Sequence, residues 1–440
     1  MMMRMLRHRA LPPSGVRRGL SFLGLPCVVA LAVVACGSST PSTSASSSQA
    51  TFDPDSGVPP FSAGSTSHSS GTGSGTTTGT VVSSGTTSVT SSDSSSDTST
   101  SSSAASTTSS TTGFVSSTGI TITVIPDGTG IAQGLLTAME NAKVAVHMEM
   151  YLLTNSTYIS ELETLKQKGI DVKVILNQTF PTGTTASQTN ASSYSTLMGA
   201  GVDVKWAPAN PDGSSSGYTH EKTVIIDPGA ANAQAWIMTM NLDTAAPKDN
   251  REYLAEDTSA ADITEAETIF EADYAGTPTA ISGNLVVAPT NAESMLLSLI
   301  ESATTSIDME AEEIDESGQE GDLFSALTAK AKAGVTVRLV LEDSTVASQA
   351  TAVSDLQAAG GKVMGYVYGT GLDIHAKALV ADGARAYVGS ENFTGGSLGY
   401  NRELGVIFDE ADNAGQVTKV DSTILSDFNA GSAYSSTSGG

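Results

Sequence analysis

Two stretches of this 440-residue chain carry the same five kinds of polar residue at matching spacing. In Ile374 to Glu403 they are His375, Lys377, Ser390, Asn392 and Glu403, at offsets 0, 2, 15, 17 and 28. In Tyr218 to Glu252 they are His220, Lys222, Thr239, Asn241 and Glu252, at offsets 0, 2, 19, 21 and 32. Taking four residues out of the longer turn after Asp227 makes the two patterns coincide. Side chains alternate along a strand with period two, so each histidine shares a face with its lysine, and each hydroxyl with its asparagine. Asp382-Gly383 is a hairpin signal that folds the second pair back beside the first. An imidazole, an ammonium, a hydroxyl and an amide set side by side form a kit for holding a phosphate and attacking it.

The elements that position these residues also repeat. Each half opens with an extended segment ending at a proline, Thr123 to Pro126 and Val286 to Pro289. Helical apolar spacing follows over Ile131 to Ala142 and Ala292 to Ala303, then strands over Val144 to Leu153 and Ser306 to Ile314. A second helix ends in Lys-Gly or Ala-Gly and leads into a buried strand, in 165–177 and again in 329–342. Alternating helices and short apolar strands predict an α/β fold whose sheets are covered by helices. The repeat predicts two similar halves, 119–275 and 284–435, with the boundary at Tyr274 to Ser282, which contains Gly276 and Pro278.

The motifs His220-x-Lys222-x4-Asp227 and His375-x-Lys377-x4-Asp382 resemble the phospholipase D superfamily. The second copy continues to Gly389-Ser390-x-Asn392 in full. The first has Met238-Thr239-Met240-Asn241 there, which keeps the hydroxyl and the amide but puts the local turn in question. The resemblance covers everything after about residue 120. It implies two phospholipase D-like halves, each a mixed β-sheet flanked by helices, related by a pseudo-twofold with the active site between them. It implies a phosphodiesterase that cleaves or transfers phosphatidyl groups through a phosphohistidine, with no cofactor and no metal. By the family pattern His220 is the nucleophile and His375 the general acid, although the near-symmetric residues alone do not choose. Lys222, Lys377, Asn241 and Asn392 hold the non-bridging oxygens, and Glu252 and Glu403 sit where the family places the carboxylate that fixes each histidine tautomer. Asp227 and Asp382 read as closing the hairpins. Thr239 and Ser390 touch phosphate or hold the loop. His147 reads as hydrogen-bonded structure outside the site, while Glu149 and Glu310 align as candidates for the pocket floor.

The N-terminus adds a location. Residues 1–36 read as an export signal, with a basic region, an apolar run from Leu20 to Ala35, and Cys36-Gly37. Val33-Val34-Ala35-Cys36 resembles a bacterial lipobox, which implies lipidation at Cys36. Residues 37–118 are almost entirely Ser, Thr and Gly, a composition that cannot bury enough apolar surface to order itself. They read as a disordered tether. The expected location is the bacterial cell envelope, at the outer membrane or cell surface, or secretion; the expected state is a monomer acting on phospholipid. All five Arg before Cys36 are in the leader, so the remainder carries 16 basic against 46 acidic residues. That charge repels nucleic acid, whose affinity comes from Lys and Arg contacts to phosphate. A nuclease of the same superfamily and a non-catalytic surface lipoprotein are the competing readings.

Overall fold

The computed structural model describes residues 115–180, 184–208, 217–278, 280–316 and 323–434. The export signal, Cys36, the tether up to residue 114 and residues 209–216 lie outside these residues.

In the first half, strands are β1 (Ile120–Ile125), β2 (Ala145–Met150), β3 (Asp171–Leu176), β4 (Asp203–Trp206), β5 (Lys222–Ile226), β6 (Gln234–Met238) and β7 (Asn250–Asp257). Its α-helices are α1 (Gln133–Glu140), α2 (Ser156–Gln167), α3 (Ala191–Gly199), α4 (Ala246–Asp249) and α5 (Ala260–Ala275). The second half supplies β8 (Val286–Ala288), β9 (Ser306–Ala311), β10 (Thr336–Glu342), β11 (Lys362–Tyr366), β12 (Asp373–Ile374), β13 (Lys377–Ala381), β14 (Arg385–Gly389), β15 (Glu403–Asp409) and β16 (Ser432–Ala433). Its helices are α6 (Ala292–Ser302), α7 (Leu323–Lys332), α8 (Asp343–Ser348), α9 (Ala350–Ala358), α10 (Gly395–Tyr400) and α11 (Gln416–Ala430).

The strands form two eight-stranded mixed sheets. One runs β1-β7-β6-β5-β2-β3-β4, and the other β16-β11-β10-β9-β13-β14-β15-β8. From β8 to β11 the second order repeats the first strand for strand. In each sheet the βαβ-connected strands are parallel, β2-β3-β4 and β9-β10-β11, and the hairpins are antiparallel. The sequence-level expectation of an α/β fold in two similar halves is met.

Three apolar cores account for the layers. Two are confined to single halves, beneath α1 to α3 and beneath α6, α7 and α9. The third is shared: Ile237 and Tyr253 of the first sheet meet Val388 and Val406 of the second, flanked by Ile269 of α5 and Ile424 of α11. Apolar area buried there holds the halves together. The halves also exchange backbone. β12 leaves its own sheet and pairs in parallel with β7, Asp373 opposite Asn250 and Ile374 opposite Arg251. Thr219 bridges Arg402 in the reciprocal place. Ser117, at the end of the segment read as tether, bridges Phe408.

Some boundaries differ from expectation. The first helix starts at Gln133, because Ala132 takes a left-handed backbone, φ 41°, before it. β2 and β9 stop short of Leu153 and Ile314, although Tyr151 N–H still donates to Glu221 and Glu312 N–H to Ala376, both at 2.9 Å. Asp382 and Gly383 have φ of 56° and 61°, the double left-handed turn that the Asp-Gly signal predicts.

Candidate active site

Each histidine sits where its chain enters a hairpin, directly before β5 or β13, and lies alongside the other half. His220 N–H donates to Arg402 O at 2.9 Å, and Arg402 N–H to Tyr218 O at 3.0 Å. The carboxylate contacts cross as well. His220 Nδ1 is 2.8 Å from Glu403 Oε2, and His375 Nδ1 is 2.8 Å from Glu252 Oε1. Each half therefore fixes the ring of the other half's histidine. A carboxylate on Nδ1 holds the proton there and leaves Nε2 for chemistry.

The eight residues His220, Lys222, Asn241, Glu252, His375, Lys377, Asn392 and Glu403 are all buried. Lys222 Nζ is 3.0 Å from His220 Nε2 and donates to His220 O at 3.0 Å. Lys377 Nζ donates to His375 O at 2.9 Å and lies 3.3 Å from His375 Nε2. The Oδ1 atoms of Asn241 and Asn392 have no hydrogen-bond partner among the described residues. Buried amides in that condition, at equivalent places in both halves, are suited to a polar ligand. The structure thus gathers His220, Lys222, Glu252, His375, Lys377 and Glu403 at the junction of the halves, and buries Asn241 and Asn392 at equivalent places in the two motifs.

The hydroxyls hold the loops. Tyr253 N–H donates to Thr239 Oγ1 at 2.9 Å, and Leu404 N–H to Ser390 Oγ at 3.1 Å. Thr239 also donates to Glu252, whereas Glu403 receives its hydroxyl from Ser397. The two aspartates close backbone. Asp227 accepts N–H groups of Lys143, Val144 and Ala145, and Asp382 those of Thr304, Thr305 and Ser306. Burial raises both carboxyls, but the hydrogen bonds outweigh it and hold each below the usual aspartate range.

The glycine of Gly389-Ser390-x-Asn392 is needed for space. A Cβ there would lie 2.4 Å from Tyr387 Oη and Glu391 Oε2, and 2.6 Å from Gly405 Cα. The first half has Met240 at the position of Glu391 and Leu254 at that of Gly405, so Met238 packs into an apolar core. The irregular first motif is a repacking of that core.

Several residues at the site were not singled out from the sequence. Glu312 Oε2 accepts from Lys377 Nζ at 2.6 Å and lies 3.6 Å from His375 Nε2. Its equivalent in the first half is Tyr151, whose ring lies 5.2 Å beneath Lys222 Nζ and 4.7 Å from the His220 ring. Arg402 pairs with Asp273 of α5 at 2.8 Å, and Arg251 with Asp427 of α11 through Nη2 at 3.1 Å, again crossing between halves. The signal was present: Asn-Arg-Glu occurs at 250–252 and at 401–403.

Buried carboxyls adjoin the site residues. Burial, then the Asp273 charge, pushes Glu221 up to about 8. Burial, then Asp427, pushes Glu310 up to about 8, and Tyr253 Oη donates to it at 2.7 Å. Glu149 is raised well above the ordinary value by burial and Glu221. His147 is outside the eight, bonded to Glu267 at 2.9 Å and stacked on Phe270. Two groups of ligand-type side chains meet in space that linear spacing does not reveal, His147-Glu267-Glu271 and Glu149-Glu221-Asp273. Lys173 pairs with Glu271 in the first and Arg402 with Asp273 in the second, so a cation already serves each.

A duplicated sheet with a doubled His-Lys-Asn constellation and crossed glutamates defines a two-half phospholipase D-type protein. Residues 135–274 and 296–423, more than half of the chain, match the family described as cardiolipin synthase, phospholipase D-like domain. The chain belongs to that phospholipase D-like family, whose chemistry is phosphodiester transfer. Among solved structures, phosphatidylserine synthase from Haemophilus influenzae is 12% identical with a TM-score of 0.54, over 70% of this chain and 86% of that one. Polyphosphate kinase from Porphyromonas gingivalis is 15% identical with a TM-score of 0.50, over 66% of this chain. This chain spans 44% of that kinase. Nuc, a phospholipase D family member from Salmonella typhimurium, is 24% identical over 34% of this chain, with a TM-score of 0.30 that carries no argument. At these identities the first two share the fold. No curated protein matches the chain.

Proposed function

We propose that this protein is a phospholipase D-type phosphodiesterase that cleaves or transfers phosphatidyl groups. The observation that carries the reading is the crossed pairing of His220 with Glu403 and His375 with Glu252, which leaves both Nε2 atoms for a phosphoryl group.

In the proposed cycle His220 Nε2 attacks phosphorus, displacing the contact from Lys222. The bond from phosphorus to the leaving oxygen breaks, and His375 Nε2 donates its proton to that oxygen. Lys222, Lys377, Asn241 and Asn392 hold the non-bridging oxygens as charge builds on them. Neutral His375 then takes a proton from water or an alcohol, which attacks phosphorus and breaks its bond to His220. The glutamates keep both rings in the productive tautomer. Thr239 and Ser390 serve by holding the asparagine loops, and phosphate contact from either is a further element of the proposal. The protein works as a monomer, exported and lipidated at Cys36, with the Ser/Thr-rich tether carrying the catalytic unit away from the envelope membrane. No helix among the described residues is long and apolar enough to cross a membrane.

The test uses residues 115–440 with phosphatidylcholine, cardiolipin, single-stranded DNA and bis-p-nitrophenyl phosphate in EDTA, beside His220→Ala and His375→Ala. Lipid turnover lost in both variants is the expected result. Turnover of DNA alone would replace the substrate class, and silence on every diester would favour a non-catalytic surface lipoprotein.

A further inference from the structure

The pseudo-twofold predicts like surroundings for the two lysines, and they differ at one position. β2 and β5 place Met150 opposite Lys222, and β9 and β13 place Ala311 opposite Lys377. The next residue in each half makes the same 2.9 Å backbone bond back to the hairpin, from Tyr151 to Glu221 and from Glu312 to Ala376. Tyr151 and Glu312 are therefore equivalent, yet one is an uncharged ring and the other a carboxylate. Glu312 is 2% exposed, and Lys377, which it meets at 2.6 Å, is fully buried. A buried ion pair is nearly neutral to a newcomer, and its carboxylate repels added negative charge at short range in a weakly screened setting.

We propose that Glu312 is a charge filter: by occupying Lys377 beside His375 it makes the site select singly charged phosphodiesters against doubly charged phosphomonoesters. The inference rests on the phosphodiester reading of the same site. A diester carries one charge, shared over two oxygens: Lys222 balances it, while the two asparagine amides and Lys377, its charge offset by Glu312, donate hydrogen bonds. A monoester brings a third anionic oxygen and a second charge, and the Lys377 that would balance it is already neutralised. Hydrolysis of a diester turns a singly charged ligand into a doubly charged one, so the same carboxylate drives release of a hydrolytic product. Tyr151, in the equivalent place, has no charge with which to do this.

Binding is measured directly, by calorimetry at about pH 8, where a phosphomonoester with a second pKa of about 6 is doubly charged. The ligands are methyl phosphate, dimethyl phosphate and methyl sulfate, the last having the shape of the monoester with a single charge. Glu312→Gln is expected to tighten methyl phosphate about tenfold and the two singly charged ligands only about threefold, because the repulsion removed scales with ligand charge. Glu312→Asp keeps the carboxylate and is expected to keep the discrimination. Glu312→Ala serves as a second neutral variant should the amide disturb folding. Equal tightening of methyl phosphate and methyl sulfate, or no tightening of methyl phosphate in a folded neutral variant, overturns the inference. The readout needs no turnover. A protein silent on every diester that still shows the monoester-selective gain loses the functional reading and keeps the filter, and an active diesterase without the gain loses only the filter.

Discussion

Crossed carboxylates make each histidine depend on a residue of the other half, 183 positions away for His220 and 123 for His375, and the dependence is testable one atom at a time. Glu252 Oε1 receives His375 Nδ1 at 2.8 Å, and Thr239 and Asn250 hold the carboxylate in place. Glu252→Gln keeps the shape but lets the amide NH2 turn toward the ring, which favours the wrong tautomer. The expected result on bis-p-nitrophenyl phosphate is a fall in kcat of about 10²–10⁴-fold with KM within about threefold. A loss below about tenfold would reduce Glu252 to packing. Asp382 makes a contrasting prediction. Its carboxyl is held below the ordinary range by the N–H groups of Ser306, Thr305 and Thr304, despite burial. A depressed acid contributes stability that is present above its unfolded value and lost as pH falls through the folded one. Asp382→Ala is therefore expected to cost about 1–3 kcal/mol at neutral pH, with the difference from wild type closing below about pH 4. Chemical denaturation at three pH values measures it. The eight site residues were legible because they occur twice. Which glutamate serves which histidine was not, since spacing orders residues within a half and the crossing belongs to tertiary topology. Glu312 escaped because its counterpart is Tyr151, so the repeat itself concealed it.

Elements were legible where the apolar period was strong and the ends carried punctuation. The second helices stop before Gly169 and Gly334, both with positive φ, as the Lys-Gly and Ala-Gly endings predict. The first helix starts two residues later than its apolar spacing predicts, because nothing in its composition announces the left-handed Ala132. The two Gly/Ser-turn regions show how one motif tolerates two packings. Gly389 and Gly405 leave room for Tyr387 Oη to donate to Glu391, which is pushed well above its ordinary value by burial and by Glu403. Met238, Met240 and Leu254 fill the same volume in the first half. Gly389→Ala forces contacts of 2.4–2.6 Å and is expected to lower stability. The cost is about 1–3 kcal/mol, typical of overpacking, and a denaturation midpoint reads it. Met238→Ala is expected to cost about 2–5 kcal/mol by the opposite route, a cavity among apolar side chains. A harmless Gly389→Ala would mean that Tyr387 and Glu391 can step aside, and the space argument would fail.

At the scale of the whole molecule the site is built on protons as well as on packing. Glu221 stands between His220 and Lys222, Glu310 lies on β9 opposite Ala378 of β13, and burial leads the causes that push each up to about 8. Arg402 and Arg251 partly offset the rise, each by tying one half's glutamate strand to the other half's helix. An acid raised on folding is protonated in the native state and ionised in the unfolded chain between the two values, so the native state binds more protons there. Stability therefore falls as pH rises from the unfolded glutamate range through about 8, and levels beyond it. The chain's formal charge of −25 works in the same direction, because repulsion in the compact state grows as acids ionise. The depressed Asp227 and Asp382 oppose it only at the acid end. The protein is thus expected to be most stable at mildly acidic pH, near 5, and to lose a few kcal/mol by about pH 8. Glu310→Gln removes one of these titrations while leaving an acceptor for Tyr253 Oη. Its unfolding free energy is expected to decline less steeply than wild type between about pH 5 and pH 8, by an amount on the order of 1–3 kcal/mol over the interval. Parallel curves for the two proteins would mean that Glu310 is ionised in the native state, paired with Arg251, and that the junction between the halves is held by charge at that point.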